Sequence, residues 1–338
     1  MFKDAKAFNQ SIGTWNNKLV VDFSEMFSNA ISFNKSLNGW DTGSALNMTE
    51  MFHGATAFNG AINDWNTEYV KTMDLMFKDA KSINQDLDDW DVRNVLTMKQ
   101  MFQNATAFNG EVGRWDTGRV TDMSFIFNKA VSFNQNLDPW DVSEVTTMES
   151  MFEDATVFDG NIGGNTGSWE TTDVLNMKNM FKNAKAFNQN INGWDVDSVT
   201  NMESMFEGAS SFDRDLGRWE VTKVTNMKNF LLGSDLSTAF YDTLLKGWDL
   251  LDLQSGVSFD VGETEYCDGE KERNTIISKF GWSINDGGLD CSAPVSPTNA
   301  PDLYAQDDSG ISNADDITSD ATPRFEVGCT ESDSLIKL

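Results

Sequence analysis

Histidine is almost absent from this 338-residue sequence, and cysteine and proline are scarce: the chain has one His, three Cys and five Pro. The single histidine, His53, has no cysteine near it in the sequence, because all three cysteines lie in the C-terminal third. With no second histidine, and with cysteines only in the C-terminal third, the sequence offers no recognisable zinc cluster, cysteine–histidine pair or Ser-His-Asp triad. We therefore expect no metal-dependent or nucleophilic enzyme, and no cofactor.

Basic residues are also under-represented, with 25 Lys and Arg against 53 Asp and Glu and a formal net charge of −28. Such a charge repels the phosphates of nucleic acids and of anionic lipids, so neither is an expected partner. No apolar run is long enough for a transmembrane segment. No apolar stretch follows Met1, so the first residues do not resemble a signal peptide.

Methionine, phenylalanine and tryptophan, in contrast, recur in strict order. Repeats begin at Met1, Met26, Met51, Met76, Met101, Ile126, Met151, Met180 and Met205, at intervals of 25 residues except for one of 29. All 16 Met occupy position 1 or position 23 of a repeat. A period this strict is typical of stacked units, and it predicts a nine-repeat solenoid over residues 1–229.

Tryptophan occupies position 15 of every repeat: Trp15, Trp40, Trp65, Trp90, Trp115, Trp140, Trp169, Trp194 and Trp219. An aliphatic residue lies three positions earlier and Val often follows two positions later. This pattern favours a buried structural ladder. The alternative is an exposed aromatic strip that binds sugars.

Each repeat carries a helical and an extended pattern. Met48, Met51, Phe52 and Ala55 follow the i, i+3, i+4, i+7 spacing of one helix face, and Asn47 is a suitable N-cap. Trp-x-Val segments predict short parallel strands. Strands spaced about 4.8 Å apart and helices that need about 8–10 Å predict a curved α/β solenoid with its strands on the concave side.

The regular pattern ends near Phe230. Residues 230–291 predict an α/β cap with helices near 237–246 and 270–279 and strands near 257–261 and 282–284. Cys267 and Cys291 fall in this cap and form a disulfide if the protein is extracellular; two reduced thiols are the alternative. Four extra residues within Gly163–Ser168 predict a surface loop, and residues 292–338 predict a disordered acidic tail.

Two further features concern the length of the whole protein and possible metal sites. Met1 occupies a repeat position inside the predicted helix, so we expect the chain to be part of a longer protein. Position 16 is acidic or Asn in every repeat, which predicts a turn closed by the side chain. The sharper alternative is a row of weak calcium sites at Asp41, Asp91, Asp116, Asp141 and Asp195.

The repeat motif resembles that of a known family. The run from Asn47 to Asn66, NMTEMFHGATAFNGAINDWN, is similar to the repeat of BspA-like leucine-rich-repeat surface proteins, in particular to the 25-residue variant of mycoplasma surface lipoproteins, many bacteria and single-celled algae. The resemblance extends over nine repeats and into the cap. It implies a secreted or surface-anchored protein linked with adhesion and no catalytic residues, although this chain shows no signal peptide and no lipid-anchor Cys.

These observations lead to one principal hypothesis and two alternatives. The principal hypothesis is a non-catalytic extracellular or cell-surface repeat protein that binds a protein partner. The first alternative is a structural element of a cell envelope or matrix, in which copies associate with one another. The second is a carbohydrate-binding surface, which requires exposed tryptophans.

Overall fold

The computed structural model describes residues 1–163 and 169–292, together with the backbone of two short strands beyond them. Its helices and strands are α1 (Thr238–Asp249), β1 (Ser258–Asp260), β2 (Glu265–Tyr266), α2 (Glu270–Phe280), β3 (Ser283–Asn285), β4 (Gly288–Leu289), β5 (Asp302–Leu303) and β6 (Phe325–Glu326). The predicted loop after Gly163 and most of the predicted tail lie outside the described residues. At β5 and β6, which pair antiparallel, the backbone is extended where the sequence predicts disorder.

The 25-residue units, here called coils and numbered one to nine from Met1, stack through backbone hydrogen bonds. Single-residue parallel bridges join equivalent positions of successive coils: Asp22 to Asn47, Asn47 to Thr72, and so on to Asn226. Each coil also donates alternate N–H groups to the next one, as from Glu50 to the Asp74 carbonyl at 2.9 Å. Neighbouring coils therefore satisfy each other's backbone groups.

The predicted helix of each repeat is wrong. Residues 49–54 form a continuous run of turns, and Glu50 and Gly54 have φ angles of 55° and 66°. Residues in this left-handed region interrupt a right-handed helix. Their N–H groups donate to the next coil instead of to the residue four positions back. The helical spacing of Met48, Met51 and Phe52 nevertheless buries all three side chains.

The predicted strand is misplaced. Trp90, Asp91 and Val92 lie in neither strand nor bridge, and the parallel bridge falls at Thr97, immediately before Met98. Asn47, predicted as a helix N-cap, also occupies a bridge position. Its side chain accepts the N–H of Thr49 at 3.0 Å, as a cap would, but closes a turn. The curvature prediction compared the width of stacked helices with the spacing of stacked strands. The described repeats form turns where the helix was predicted and single-residue bridges instead of strands, so this comparison has no support in the structure.

One hydrophobic core runs from Ile12 through the coils to Trp282 in the cap. Phenylalanines at position 2 stack on those of the neighbouring coils, with ring centroids 5.4 Å apart for Phe27 and Phe52. A second phenylalanine stacks within the coil, as Phe58 does on Phe52 at 3.9 Å. Because these rings and the position-5 alanines are fully buried from coil two onward, the coils contribute to a shared interior.

An asparagine ladder runs along position 9. The Asn34 side-chain oxygen accepts the N–H of Asn59 at 2.8 Å, and Asn84 and Asn109 repeat this contact with the next coil. Asp159 and Asp213 continue the ladder, which ends at the N–H of Ser237 beside α1. These side chains therefore form hydrogen bonds between coils.

The cap helices α1 and α2 lie close to the predicted positions. Strand β1 continues the coil stack through a parallel bridge between Met227 and Phe259. The buried carboxylate of Asp242 in α1 accepts the N–H groups of Cys267, Asp268 and Gly269 at 2.9–3.0 Å. This contact joins α1 to the segment before α2. Neither of these helices, within the described chain, is long and apolar enough to span a lipid bilayer.

Candidate interaction surface

The tryptophan column lies inside the molecule except at its first member. Trp40, Trp65, Trp90, Trp115, Trp140, Trp169, Trp194 and Trp219 are at most 5% exposed, whereas Trp15 is 48% exposed. Each buried indole N–H donates to the position-12 carbonyl of the preceding coil, as from Trp115 to Leu87 at 2.8 Å. The buried rings present no face on which a sugar could stack, so the carbohydrate hypothesis depends on Trp15 alone.

The Asp and Asn side chains at position 16 each close a turn. The Oδ1 atoms of the five predicted calcium ligands accept the backbone N–H two residues later, at 3.0–3.4 Å: Gly43 to Asp41, Arg93 to Asp91, Gly118 to Asp116, Ser143 to Asp141, and Asp197 to Asp195. Asn16 and Asn66 hold the same turn with an amide oxygen. The turn interpretation therefore accounts for the conserved geometry of both residue types in this column.

Nothing in the described part of the chain gathers three or more His, Cys, Asp or Glu side chains into a group that could hold a metal ion. In the five aspartates above, one carboxylate oxygen already accepts a backbone hydrogen bond. The second oxygen of Asp195 accepts the Thr172 hydroxyl at 3.4 Å. The column therefore presents carboxylates of fixed orientation at regular intervals.

This surface is acidic. Positions 16, 18 and 19 of the nine coils carry eleven acidic and four basic residues. One of the basic residues, Arg93, is paired with Asp91 at 2.8 Å, which raises the pKa of the guanidinium. Asp116, Asp141 and Asp195 are exposed. The surface thus offers negative charge in an ordered array, which favours a partner with basic side chains.

On a second surface, formed by positions 24 and 3, basic and acidic side chains form ion pairs with each other in the later coils. Lys178 contacts Glu203 and Lys182 contacts Glu207, each at 3.0 Å. The Lys178 ammonium lowers the pKa of Glu203 below its usual range. Asp74, on the same surface, is partly buried, and desolvation raises its pKa. Since these charges pair internally, this surface is the weaker candidate for binding a charged partner.

The cap holds a covalent link. Cys267 and Cys291 form a disulfide with an S–S distance of 2.08 Å, and β2 and β4, which pair in parallel, end close to its two cysteines. Nearby, Arg273 bonds Asp286 at 2.6 Å and Tyr241 donates to the same carboxylate at 2.8 Å. Burial raises the pKa of Tyr241, so this hydroxyl remains protonated as a donor. The cluster fastens β3 and β4 to the two cap helices.

Sequence reasoning missed the side chains at position 21. Val21, Leu46, Leu96 and Leu175 are 42–50% exposed although they are large and apolar. In the other coils, position 21 is Lys or Thr. The sequence signal was the variation of position 21 between apolar and polar residue types. This position lies between the core valine and the bridge residue.

Comparison with curated proteins gives no match, and comparison with solved structures gives none either. A family model described as "Mycoplasma protein of unknown function, DUF285" matches residues 1–90, 76–166 and 162–256. These three tandem matches cover the nine coils and the start of the cap, well over half of the chain. The chain therefore belongs to this mycoplasma repeat family of unknown function.

Proposed function

We propose that this chain is a non-catalytic extracellular or cell-surface solenoid that binds a protein partner as an adhesion or recognition scaffold. The finer resemblance to BspA-like leucine-rich-repeat surface proteins supports this proposal. The observation that carries it is the column of position-16 aspartates, each of which is held by its own turn on hydrogen-bonded coils. A preorganised row of charge binds without the entropic cost of ordering it.

The partner in this proposal is a protein surface rich in Lys and Arg. Electrostatic complementarity of this kind speeds association and rejects like-charged proteins. Enzymatic activity has no comparable support, because acids repeated in every coil form no unique pair in a unique pocket.

The test uses a charge-neutral variant that keeps the fold. In Asp91→Asn/Asp116→Asn/Asp141→Asn, the amide oxygens can still close the turns, as Asn16 and Asn66 do. A control with the same change in net charge is Asp252→Asn/Glu263→Gln/Glu270→Gln, whose three residues are exposed in the cap. Immobilised chain is incubated with host surface extract, and retained proteins are identified by mass spectrometry.

We expect a protein that the parent chain and the cap control retain and that the column variant loses. Failure of the parent chain to retain any protein would contradict the proposal. Equal retention by the column variant and the control would show that the carboxylate column is not the binding surface.

A further inference from the structure

The surface of positions 24 and 3 extends to positions 25 and 4, which also flank the core positions 23, 1 and 2. We call this surface the turn face, and the four outward side chains on one run of turns a row, such as Lys99, Gln100, Gln103 and Asn104. Backbone hydrogen bonds join each row to the next, as from Gln100 to the Ser124 carbonyl at 2.9 Å. Side chains of one position therefore recur along the face at about the 4.8 Å spacing of paired strands.

Two large apolar residues of the turn face adopt a backbone conformation that is unfavourable for them. Leu75 and Phe125, both at position 25, are partly exposed and have φ angles of 55° and 59°. Coils six to nine carry the small polar residues Ser or Asn at this position. The left-handed region is costly for bulky side chains, and residues held in it cluster at functional sites. Leu75 and Phe125 are therefore candidates for contact with a partner.

Three buried polar atoms of the turn face lack a hydrogen-bond partner in the described chain. They are Gln103 Oε1, Ser124 Oγ and Ser150 Oγ. Ser124 is 3% exposed and Ser150 is fully buried. Since buried polar atoms are bonded in the large majority of cases, these atoms are a second, independent indication that the face binds a partner.

We propose that two copies of this chain associate through their turn faces, antiparallel, about a two-fold axis at the row of Gln100 and Gln103. The axis lies in the interface and perpendicular to the direction of stacking, so every position faces the same position of the other copy. The row of Leu75 then faces the row of Phe125, and these two apolar side chains pack on each other. A two-fold axis generates this contact twice, so both residues of each copy are covered.

Charges on the facing rows are complementary. Position 4 is Asp79 in one facing row and Lys129, which is exposed, in the other, so the axis forms this ion pair twice. No acidic residue at positions 24, 25, 3 and 4 lies directly opposite another acidic residue in this arrangement. Such a match matters in a chain of net charge −28, because like charges opposite each other cost free energy.

The same axis provides partners for the three polar atoms. Ser124 lies opposite Asp74, and Ser150 lies opposite Glu50, so each hydroxyl faces a carboxylate, a strong acceptor. A change of χ1 rotamer turns each Ser hydroxyl toward the face. Gln103 lies opposite its own equivalent, whose amide group supplies a donor for the Oε1 atom.

The position of the axis is specific. An axis one row away would place Asp79 opposite its own equivalent, or Lys129 opposite its own, and both contacts are repulsive. Among directly opposed residues of the turn face, the proposed axis leaves one like-charged pair, Lys99 with its equivalent. Each Lys99 ammonium is 3.9 Å from the Asp122 carboxylate of its own chain. The position-16 column takes no part in these contacts.

The test is charge reversal followed by charge exchange, with assembly measured by sedimentation equilibrium from low to high micromolar concentration. At about 0.15 M salt, where charges are screened beyond about 8 Å, we expect a monomer–dimer equilibrium for the parent chain. Lys129→Asp and Asp79→Lys should each weaken dimerisation by about tenfold. The double variant Asp79→Lys/Lys129→Asp should recover it. Both residue types occur naturally at position 4, so the substitutions suit the local backbone.

Lys81→Asp is the matched control for Lys129→Asp, since this exposed lysine lies at position 6, outside the turn face, and the change in net charge is the same. It should dimerise like the parent chain. A parent chain that stays monomeric or forms open-ended polymers would overturn the proposal. So would equal weakening by Lys129→Asp and Lys81→Asp, or failure of the double variant to recover.

A further variant separates dimerisation from folding. In Phe125→Asn the introduced residue type tolerates the left-handed conformation, so the variant should unfold at the same or a higher denaturant concentration when measured at low protein concentration. Its dimerisation should be about tenfold weaker, because a buried aromatic contact is lost twice. A lower unfolding midpoint, or dimerisation equal to that of the parent chain, would contradict the assignment of Phe125 to the dimer contact.

Discussion

The coils and the cap bury the same kinds of side chain but satisfy their backbones differently. In the cap, α1 and α2 make hydrogen bonds within the helix, and α2 ends at Gly281 in the left-handed conformation. In the coils, two residues per repeat adopt that conformation, and their N–H groups bond to the next coil. Apolar residues at helical spacing therefore form helices in the cap, whereas in the coils they lie in turns whose N–H groups bond to the next coil.

The comparison predicts its largest effect at the buried tryptophans. Trp115→Ala should lower the free energy of unfolding by about 3–5 kcal/mol, because it leaves a cavity and removes the donor for the Leu87 carbonyl. Trp15→Ala, at a half-exposed ring of the same column, should cost under about 1 kcal/mol. Urea unfolding followed by circular dichroism measures both. Equal costs would mean that the column is not a shared interior.

The cap depends on a covalent link that the coils lack. Cys267→Ser/Cys291→Ser opens a loop with a sequence separation of 24 residues, and we expect a loss of about 3 kcal/mol in cap stability. Amide exchange should rise in α1 and α2 and stay unchanged in coils two to six. Uniform loss of protection along the chain would show that coils and cap unfold as one unit.

Removing a side-chain acceptor of the asparagine ladder should also destabilise the stacked coils. Asn109→Ala removes the acceptor for the Asn134 N–H and should cost about 1 kcal/mol. Asn109→Asp keeps the acceptor, as Asp159 does in the natural ladder, and should cost less. Thermal unfolding of the two variants checks this order, and the reverse order would contradict a ladder of side-chain acceptors.

A smaller effect tests the left-handed residues. Lys129 is exposed with φ at 60°. Lys129→Gly should raise the free energy of unfolding by about 0.5 kcal/mol, because Gly adopts this conformation without steric cost. Lys81→Gly, at an exposed position outside the left-handed set, should be destabilising. If both substitutions destabilise the chain alike, the assigned turn conformation is wrong.

The smallest expected effect concerns metal. Because each of the five predicted calcium ligands closes a turn with a backbone N–H, we expect EDTA to leave the melting temperature of the chain unchanged. Differential scanning calorimetry with and without EDTA measures this. A fall in melting temperature that calcium restores would favour the calcium row over the turn interpretation.

Much of the packing could be predicted from the sequence, and the local backbone could not. The 25-residue period identifies the core-facing side chains, since burial follows the same spacing in helices and in these turns. The missed signal was position 4, which is Asp, Asn or Gly in every coil except the one with Lys129. These are the residues that best tolerate the left-handed region.

The candidate surface was predicted only in part. The Asx turns at position 16 follow from local chemistry, because the donor lies two residues from the acceptor. The asparagine ladder and the exposed position-21 column depend on contacts between residues 25 apart. Their meaning becomes visible only when the stacking register is known, as when Lys71 and Leu46 are seen to be neighbours.

The most direct test of the account is NMR measurement of scalar couplings across hydrogen bonds. The account predicts a coupling between the Glu50 amide nitrogen and the Asp74 carbonyl carbon, and equivalent couplings from position 25 in the other coils up to coil eight. A coupling from the amide of residue 52 to the carbonyl of Met48, four residues earlier, would indicate a helix in the repeat and contradict the account.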